Sequence, residues 1–232
     1  MHVQSEYRIL ITLGSKHYQS PQCGEVLTLP SLHKLTNQNT ENYTLYDQQP
    51  IGYQPQSPTW HDFNTISYDI LSAQEQEWLL DQGSLTERLI KKSQNQFYVD
   101  VLRQAWNNPD PSEATLLGQD PSHPCLIREV LLYCFQQPWV YAKTVMPESS
   151  LNHELAHLRD FDNQPLGQLL FNTPGLIRSP FEVAQYTANH LPIDVLKAIS
   201  ADQICQWGRR SRFVVYDKPL LVNEIFLPAF QP

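Results

Sequence analysis

Residues 125–147, CLIREVLLYCFQQPWVYAKTVMP, decide the fold. Two runs dense in Val, Leu, Ile, Tyr and Trp flank Gln136-Gln137-Pro138, which predicts two strands joined by a turn. Side chains alternate across a strand, so Leu126, Arg128, Val130, Leu132 and Cys134 share one face. Ile127, Glu129, Leu131 and Tyr133 take the other. Downstream, SRFVVYDKPLLVNEIFLPAF (211–230) predicts a second hairpin, turning at Asp217-Lys218-Pro219. There Leu220, Val222, Glu224 and Phe226 face one way, and Leu221, Asn223, Ile225 and Leu227 the other. Upstream, QFYVDVLRQAW (96–106) alternates as a further strand.

Helical segments interleave with these strands. SAQEQEWLLDQG (72–83) has helical spacing, and in GSLTERLIKKS (83–93) Ser84 and Glu87 stand as a capping box that starts a helix at Leu85. SSLNHELAHLRDF (149–161) predicts a short helix, and QPLGQLLFN (164–172) opens another with Pro165 in its first turn. FEVAQYTAN (181–189) and PIDVLKAIS (192–200) also have helical spacing, whereas NNPDPSEATLLGQDPSHP (107–124) reads as a loop. The expected fold is α+β: an antiparallel sheet of about six strands with flanking helices and helical flaps over a buried ligand pocket. Residues 1–60 are rich in Gln, Asn, Pro, Ser and Thr without a sustained period, and read as a poorly ordered extension. It carries one candidate strand at YRILITL (7–13). The folded domain is expected to span 61–232.

Composition narrows the function classes. The formal net charge of −8 argues against a nucleic-acid partner, because phosphate binding needs a basic stripe. A small anion remains compatible, since the field inside a pocket can oppose the global charge. The N-terminus has no basic region before its short apolar run, and no stretch approaches the ~20 apolar residues of a membrane span. Cys23, Cys125, Cys134 and Cys205 form no C-x-x-C pair and read as reduced thiols. A soluble, cytoplasmic monomer without stable membrane insertion is expected.

Two features suggest chemistry. His153-Glu154-Leu155-Ala156-His157 spells the HExxH of zinc hydrolases, in which two His one α-helical turn apart hold the metal. A third ligand is not evident: Asp160 and Asn163 stand where the extended motif needs Gly and His, and Glu182 would require a long supporting helix. An exposed amphipathic turn, with Leu151, Leu155 and Leu158 inward and His153 and His157 outward, is the expected reading. The stronger signal is Arg128 and Glu224, single charges set in apolar rows. Such groups are costly to bury unless paired. Either they form an ion pair across the sheet, or they are the polar ends of a cavity. In the second case Arg128 takes a carboxylate two-pronged, and a desolvated Glu224 faces a hydroxyl or ether oxygen.

At these residues the chain resembles the chorismate lyase family, which splits chorismate into 4-hydroxybenzoate and pyruvate. The likeness covers GSLTERL, IREVLLYC, PW followed by TVMP, QPLGQLLF, WGRRSR and KPLLVNEIFLPAF in consistent order from about residue 66. It implies no cofactor and no metal. Arg128 would grip the ring carboxylate and Glu224 would meet the para oxygen. The backbones of Leu85 and Leu166 would contact the aromatic acid, and both are predicted at helix N-termini, where unpaired N–H groups suit an anion. Lys143 stands where relatives can have Arg and is left outside the site. The resemblance implies chorismate as substrate, a product feeding ubiquinone or plastoquinone synthesis, and no metal role for HELAHL. Two rivals remain. One is a relative that releases 3-hydroxybenzoate. The other is a non-catalytic effector-binding module of a transcription regulator. Against the regulator, the first 60 residues hold only Arg8, Lys16 and Lys34 as strong bases and no helical pair.

Overall fold

A computed structural model describes residues 55–65, 71–199 and 205–231. The candidate strand at 7–13 and most of the proposed extension lie outside the described residues. Residues 55–60, which composition places with that extension, lie against the sheet. The Gln56 N–H donates to the Asn189 carbonyl at 2.8 Å, and Trp60 meets Tyr186 edge-on at 5.9 Å.

One antiparallel sheet organises the described residues. Its strands are β1 (His61–Asp62), β2 (Phe97–Asn107), β3 (Cys125–Cys134), β4 (Gln137–Pro147), β5 (Ile177–Arg178), β6 (Glu182–Thr187), β7 (Cys205–Val215) and β8 (Lys218–Phe226). The order is β1-β6-β7-β8-β4-β3-β2, with β5 added against β7. Setting aside the two-residue β1 and β5 leaves six longer strands, the expected number, although β6 falls where a helix was expected. Both hairpins are tight: Cys134 pairs with Gln137, and Val215 with Lys218. Their turn residues are Phe135-Gln136 and Tyr216-Asp217, all at positive φ, as a two-residue turn matching the strand twist demands. The sequence reading sets both turns one to two residues late, because neither carries the Gly or Asn that usually marks such φ values.

Helices α1 (Ala73–Leu79), α2 (Leu85–Lys92) and α4 (Leu166–Phe171) cover one face of the sheet, while α3 (Pro111–Leu117) and α5 (Ile193–Ile199) lie on the other. Three expectations need correction. The 107–124 segment contains α3: Asp110 caps it in a full box with Glu113, Pro111 opens it, and Gly118 closes it at φ +70°. Every capping signal was present, masked by the density of Pro and Asp. Residues 181–189 form strand β6, not a helix. Val183 packs on one side and Ala184 and Tyr186 on the other, and a strand covered on both faces loses its alternation. Residues 153–160 form a 3₁₀ helix, not an α-helix.

Candidate active site

The site grows from the register. Arg128 pairs with Thr144 on β4, and Glu224 pairs with Ala142, two residues along the same face of that strand. Two strand spacings and two residue rises separate their Cα atoms by about 12 Å. Both side chains line one narrow cavity of about 40 Å³ on the α1/α2/α4 face. Its walls are Val99, Val130, Leu132, Val222 and Phe213 from the sheet, with Leu85 and Leu166 from the covering helices. The ion pair between Arg128 and Glu224, one of the two readings left open, is not made.

Arg128 is 2% exposed and makes no ion pair among the described residues. Its Nη2 donates to the Asp162 carbonyl at 2.8 Å and the Gln164 carbonyl at 3.2 Å, while Nε is buried with no acceptor. Phe161 stacks over the guanidinium at 5.3 Å. Loss of solvent pushes its pKa down to about 10. Among the described residues no carboxylate neutralises this buried cation.

Leu85 and Leu166 stand where expected. Ser84 caps α2 by accepting from the Glu87 N–H at 3.3 Å, which makes Leu85 the first helical residue. Pro165 sits one residue earlier than expected, at the N-cap, so Leu166 opens α4. The two helix starts abut: a Cβ on Gly167 would lie 2.9 Å from Thr86 Oγ1, so only glycine allows this approach. Residues at both helix starts, Leu85 and Thr86 with Leu166 and Gly167, line the same cavity, and the first N–H groups of a helix have no partner within it.

Glu224 is not the isolated carboxyl that patterning suggested. Arg209 Nε donates to it at 2.7 Å, and Arg178 Nη2 lies 3.9 Å away. Arg209 is fully buried, and its Nη1 donates to the carbonyls of Trp78, Leu79 and Asp81. It thus satisfies the open carbonyls at the end of α1 and ties that helix to the Glu224 end of the site. Both arginines were missed as site residues, although a signal existed. Counting back from a Tyr216-Asp217 turn pairs Val215 with Lys218, and hence Arg209 with Glu224.

The larger cleft, about 460 Å³, opens on the opposite face. Several of its charged groups are partnered within the protein: Lys143 with Glu113 at 2.8 Å, Glu129 with Tyr141 at 2.5 Å, and Asp110 with Ser57 and Ser112, while Arg103 lines it as an exposed cation. The HExxH stretch makes no comparable site. A 3₁₀ turn takes about three residues, so His153 and His157 diverge rather than share a face. Leu151, Leu155 and Leu158 are buried and both histidines exposed, as expected, and Glu154 reaches Lys218 at 3.2 Å. Among the described residues no three His, Cys, Asp or Glu side chains gather to hold a metal. Cys125 and Cys134 are buried free thiols, and desolvation pushes each pKa up to about 11.

A family model described as chorismate lyase matches residues 54–231. The chain belongs to the chorismate lyase family. Similar relatives of this family include a probable chorismate pyruvate-lyase of Coxiella burnetii, 36% identical over 73% of this chain and 91% of its own length. Another, from Psychromonas ingrahamii, is 40% identical over 66% and 82%. Among solved structures, PhnF from Mycobacterium smegmatis matches with a TM-score of 0.48 at 17% identity, over 66% of this chain and 67% of that one. The C-terminal domain of a Pseudomonas syringae histidine utilization repressor gives 0.45 at 11%, over 59% and 94%. No helix of the described residues is long and apolar enough to cross a membrane.

Proposed function

We propose that this chorismate lyase family member cleaves chorismate to 4-hydroxybenzoate and pyruvate without a cofactor. The observation that carries the reading is the buried Arg128 guanidinium, which has no carboxylate partner among the described residues and lines the same cavity as Glu224. A ring carboxylate supplies the missing anion, with the N–H groups of Leu85 and Leu166 beside it. At the far end Glu224, already bonded to Arg209, is an acceptor for the para hydroxyl.

This arrangement favours the cyclic route over general-acid catalysis. The hydrogen on the para carbon passes to the terminal methylene of the enol ether as the neighbouring ring carbon–oxygen bond breaks. The ether oxygen becomes the ketone of pyruvate and the ring becomes aromatic, so no proton is drawn from the protein. Glu224 anchors and polarises the para hydroxyl, and the apolar walls hold the folded substrate. Orientation of this kind supplies about 7–11 kcal/mol of barrier reduction. The 40 Å³ cavity is smaller than the ~150 Å³ that a benzene ring occupies in an engineered core, so entry requires the covering helices to part. The product would serve as the aromatic head of a prenylquinone, either ubiquinone or plastoquinone. The test is direct: purified protein with chorismate and no added metal should release pyruvate and 4-hydroxybenzoate in equal amounts. Release of 3-hydroxybenzoate, or binding without turnover, would overturn the proposal.

A further inference from the structure

The charges at the Glu224 end do not balance. Two guanidinium groups, Arg209 and Arg178, face one carboxylate. Asp81, whose field also reaches Arg178, is paired instead with Arg88 at 2.8 Å, a guanidinium it shares with the exposed Glu77. The two arginines differ in how firmly they are held. Arg209 has short bonds to Glu224 and to the end of α1. Arg178 keeps only Nε in a good bond, to Ser211 Oγ at 3.0 Å. Its Nη1 reaches the Gln82 carbonyl at 3.4 Å, and its Nη2 approaches Glu224 no closer than 3.9 Å.

Arg178 is held in place by aromatic faces. Phe181, Phe213 and Phe171 surround its guanidinium at 4.0, 4.9 and 5.7 Å, and the last two also line the cavity. Burial pushes its pKa down to about 10, with the Glu224 charge offsetting only part of that cost. A planar cation with both terminal nitrogens weakly engaged, fixed beside a cavity that already contains one anion, can accept a second anion without moving.

We infer that Arg178 binds the second carboxylate of the substrate, the one on its three-carbon side chain. This rests on the lyase reading. That side chain leaves the ring next to the para position, which is the Glu224 end of the cavity. The site then carries an excess of one positive charge at each end, Arg128 at one and the Arg178/Arg209/Glu224 group at the other, which matches a dianion. Once the side chain departs, the product has no group for Arg178. Arg178 is therefore a specificity residue for substrate over product.

The experiment compares two ligands on Arg178→Gln and Arg178→Lys. For Arg178→Gln the KM for chorismate should rise at least about tenfold, while the Kd for 4-hydroxybenzoate changes less than about threefold. Arg178→Lys keeps the charge but not the fork, and should recover part of the loss. A structural strut would move both constants together. Parallel loss of product affinity, or an unchanged KM, overturns the inference while wild-type pyruvate release upholds the lyase reading. A wild type that binds 4-hydroxybenzoate yet releases no pyruvate sinks both. If Arg178→Gln fails to fold, the same split is read from Arg178→Lys.

Discussion

Replacing Arg128 with Met separates binding from stability. The guanidinium is 2% exposed and its pKa falls from the ordinary 12.5 to about 10, because burial removes its hydration. Converted at about 1.4 kcal/mol per tenfold change in proton affinity, carrying that charge costs the folded protein on the order of 3 kcal/mol. Against this stand two charge-assisted bonds to the Asp162 and Gln164 carbonyls, each worth about 1.5–3 kcal/mol. The terms nearly cancel, so Arg128→Met should shift unfolding free energy by no more than about 2 kcal/mol in the absence of ligand. Binding should behave differently. Removing one partner of a buried charge pair costs about 2–5 kcal/mol, so affinity for 4-hydroxybenzoate should drop about a hundredfold or more. The assay is thermal or denaturant unfolding with and without the product. At a hundred times the wild-type Kd, product adds about 2.7 kcal/mol to the wild type. The same concentration should add about 0.4 kcal/mol or less to Arg128→Met. A variant that unfolds readily by itself, yet gains as much from product as the wild type, would make Arg128 a structural strut and refute the reasoning.

Further outcomes follow from the same geometry. Glu224→Gln preserves the shape and an acceptor for Arg209, and should slow pyruvate release at least about tenfold with little change in KM; near-normal turnover would remove Glu224 from the chemistry. Gly167→Ala sets a Cβ 2.9 Å from Thr86 Oγ1, so it should cost about 1–3 kcal/mol of stability and weaken product binding. Adding Thr86→Ala should recover much of both, and a double-mutant cycle with zero coupling would contradict the contact. His153→Ala with His157→Ala, or dialysis against a chelator, should leave turnover unchanged. In the same 3₁₀ helix, Leu158→Ala should cost about 2–5 kcal/mol in unfolding measurements because Leu158 is fully buried.

Much of the site was legible because a strand's period is two. Alternation in 125–134 and 220–227 set Arg128 and Glu224 on the face that becomes the cavity, and both strands have the register this requires. Ser84 and Pro165 marked the helix starts at Leu85 and Leu166 by ordinary capping chemistry. What failed depended on chain reversal. With the second turn set at Asp217-Lys218-Pro219, Glu224 falls opposite the wrong arginine. The two-residue turn at Tyr216-Asp217 restores Arg209 as its partner. Arg178 lies on a two-residue strand with no periodicity to read, and only tertiary packing brings it to Glu224. β6 escaped because both its faces are covered.

The two faces of the sheet bear on the functional reading in different ways. Both bury or half-bury ionisable groups, so the presence of charge does not by itself mark a site. On the α3/α5 face, Glu113 takes Lys143, Tyr141 takes Glu129, and Arg210 takes Glu182 and Ser112. Pairs of this kind repay their desolvation within the network, although Arg212 Nε and Asn223 Oδ1 on the same face have no partner among the described residues. Among the described residues of the α1/α2/α4 face, Arg128 has carbonyls but no carboxylate, Arg178 has a carboxylate only at 3.9 Å, and Arg209 Nη2 and Arg128 Nε have no acceptor. A fold selected for stability alone would replace such groups with leucine or methionine at little cost. On the proposed reading the cavity between them, walled by apolar side chains and lined by two abutting helix starts, opens to take a ring that carries its own carboxylate.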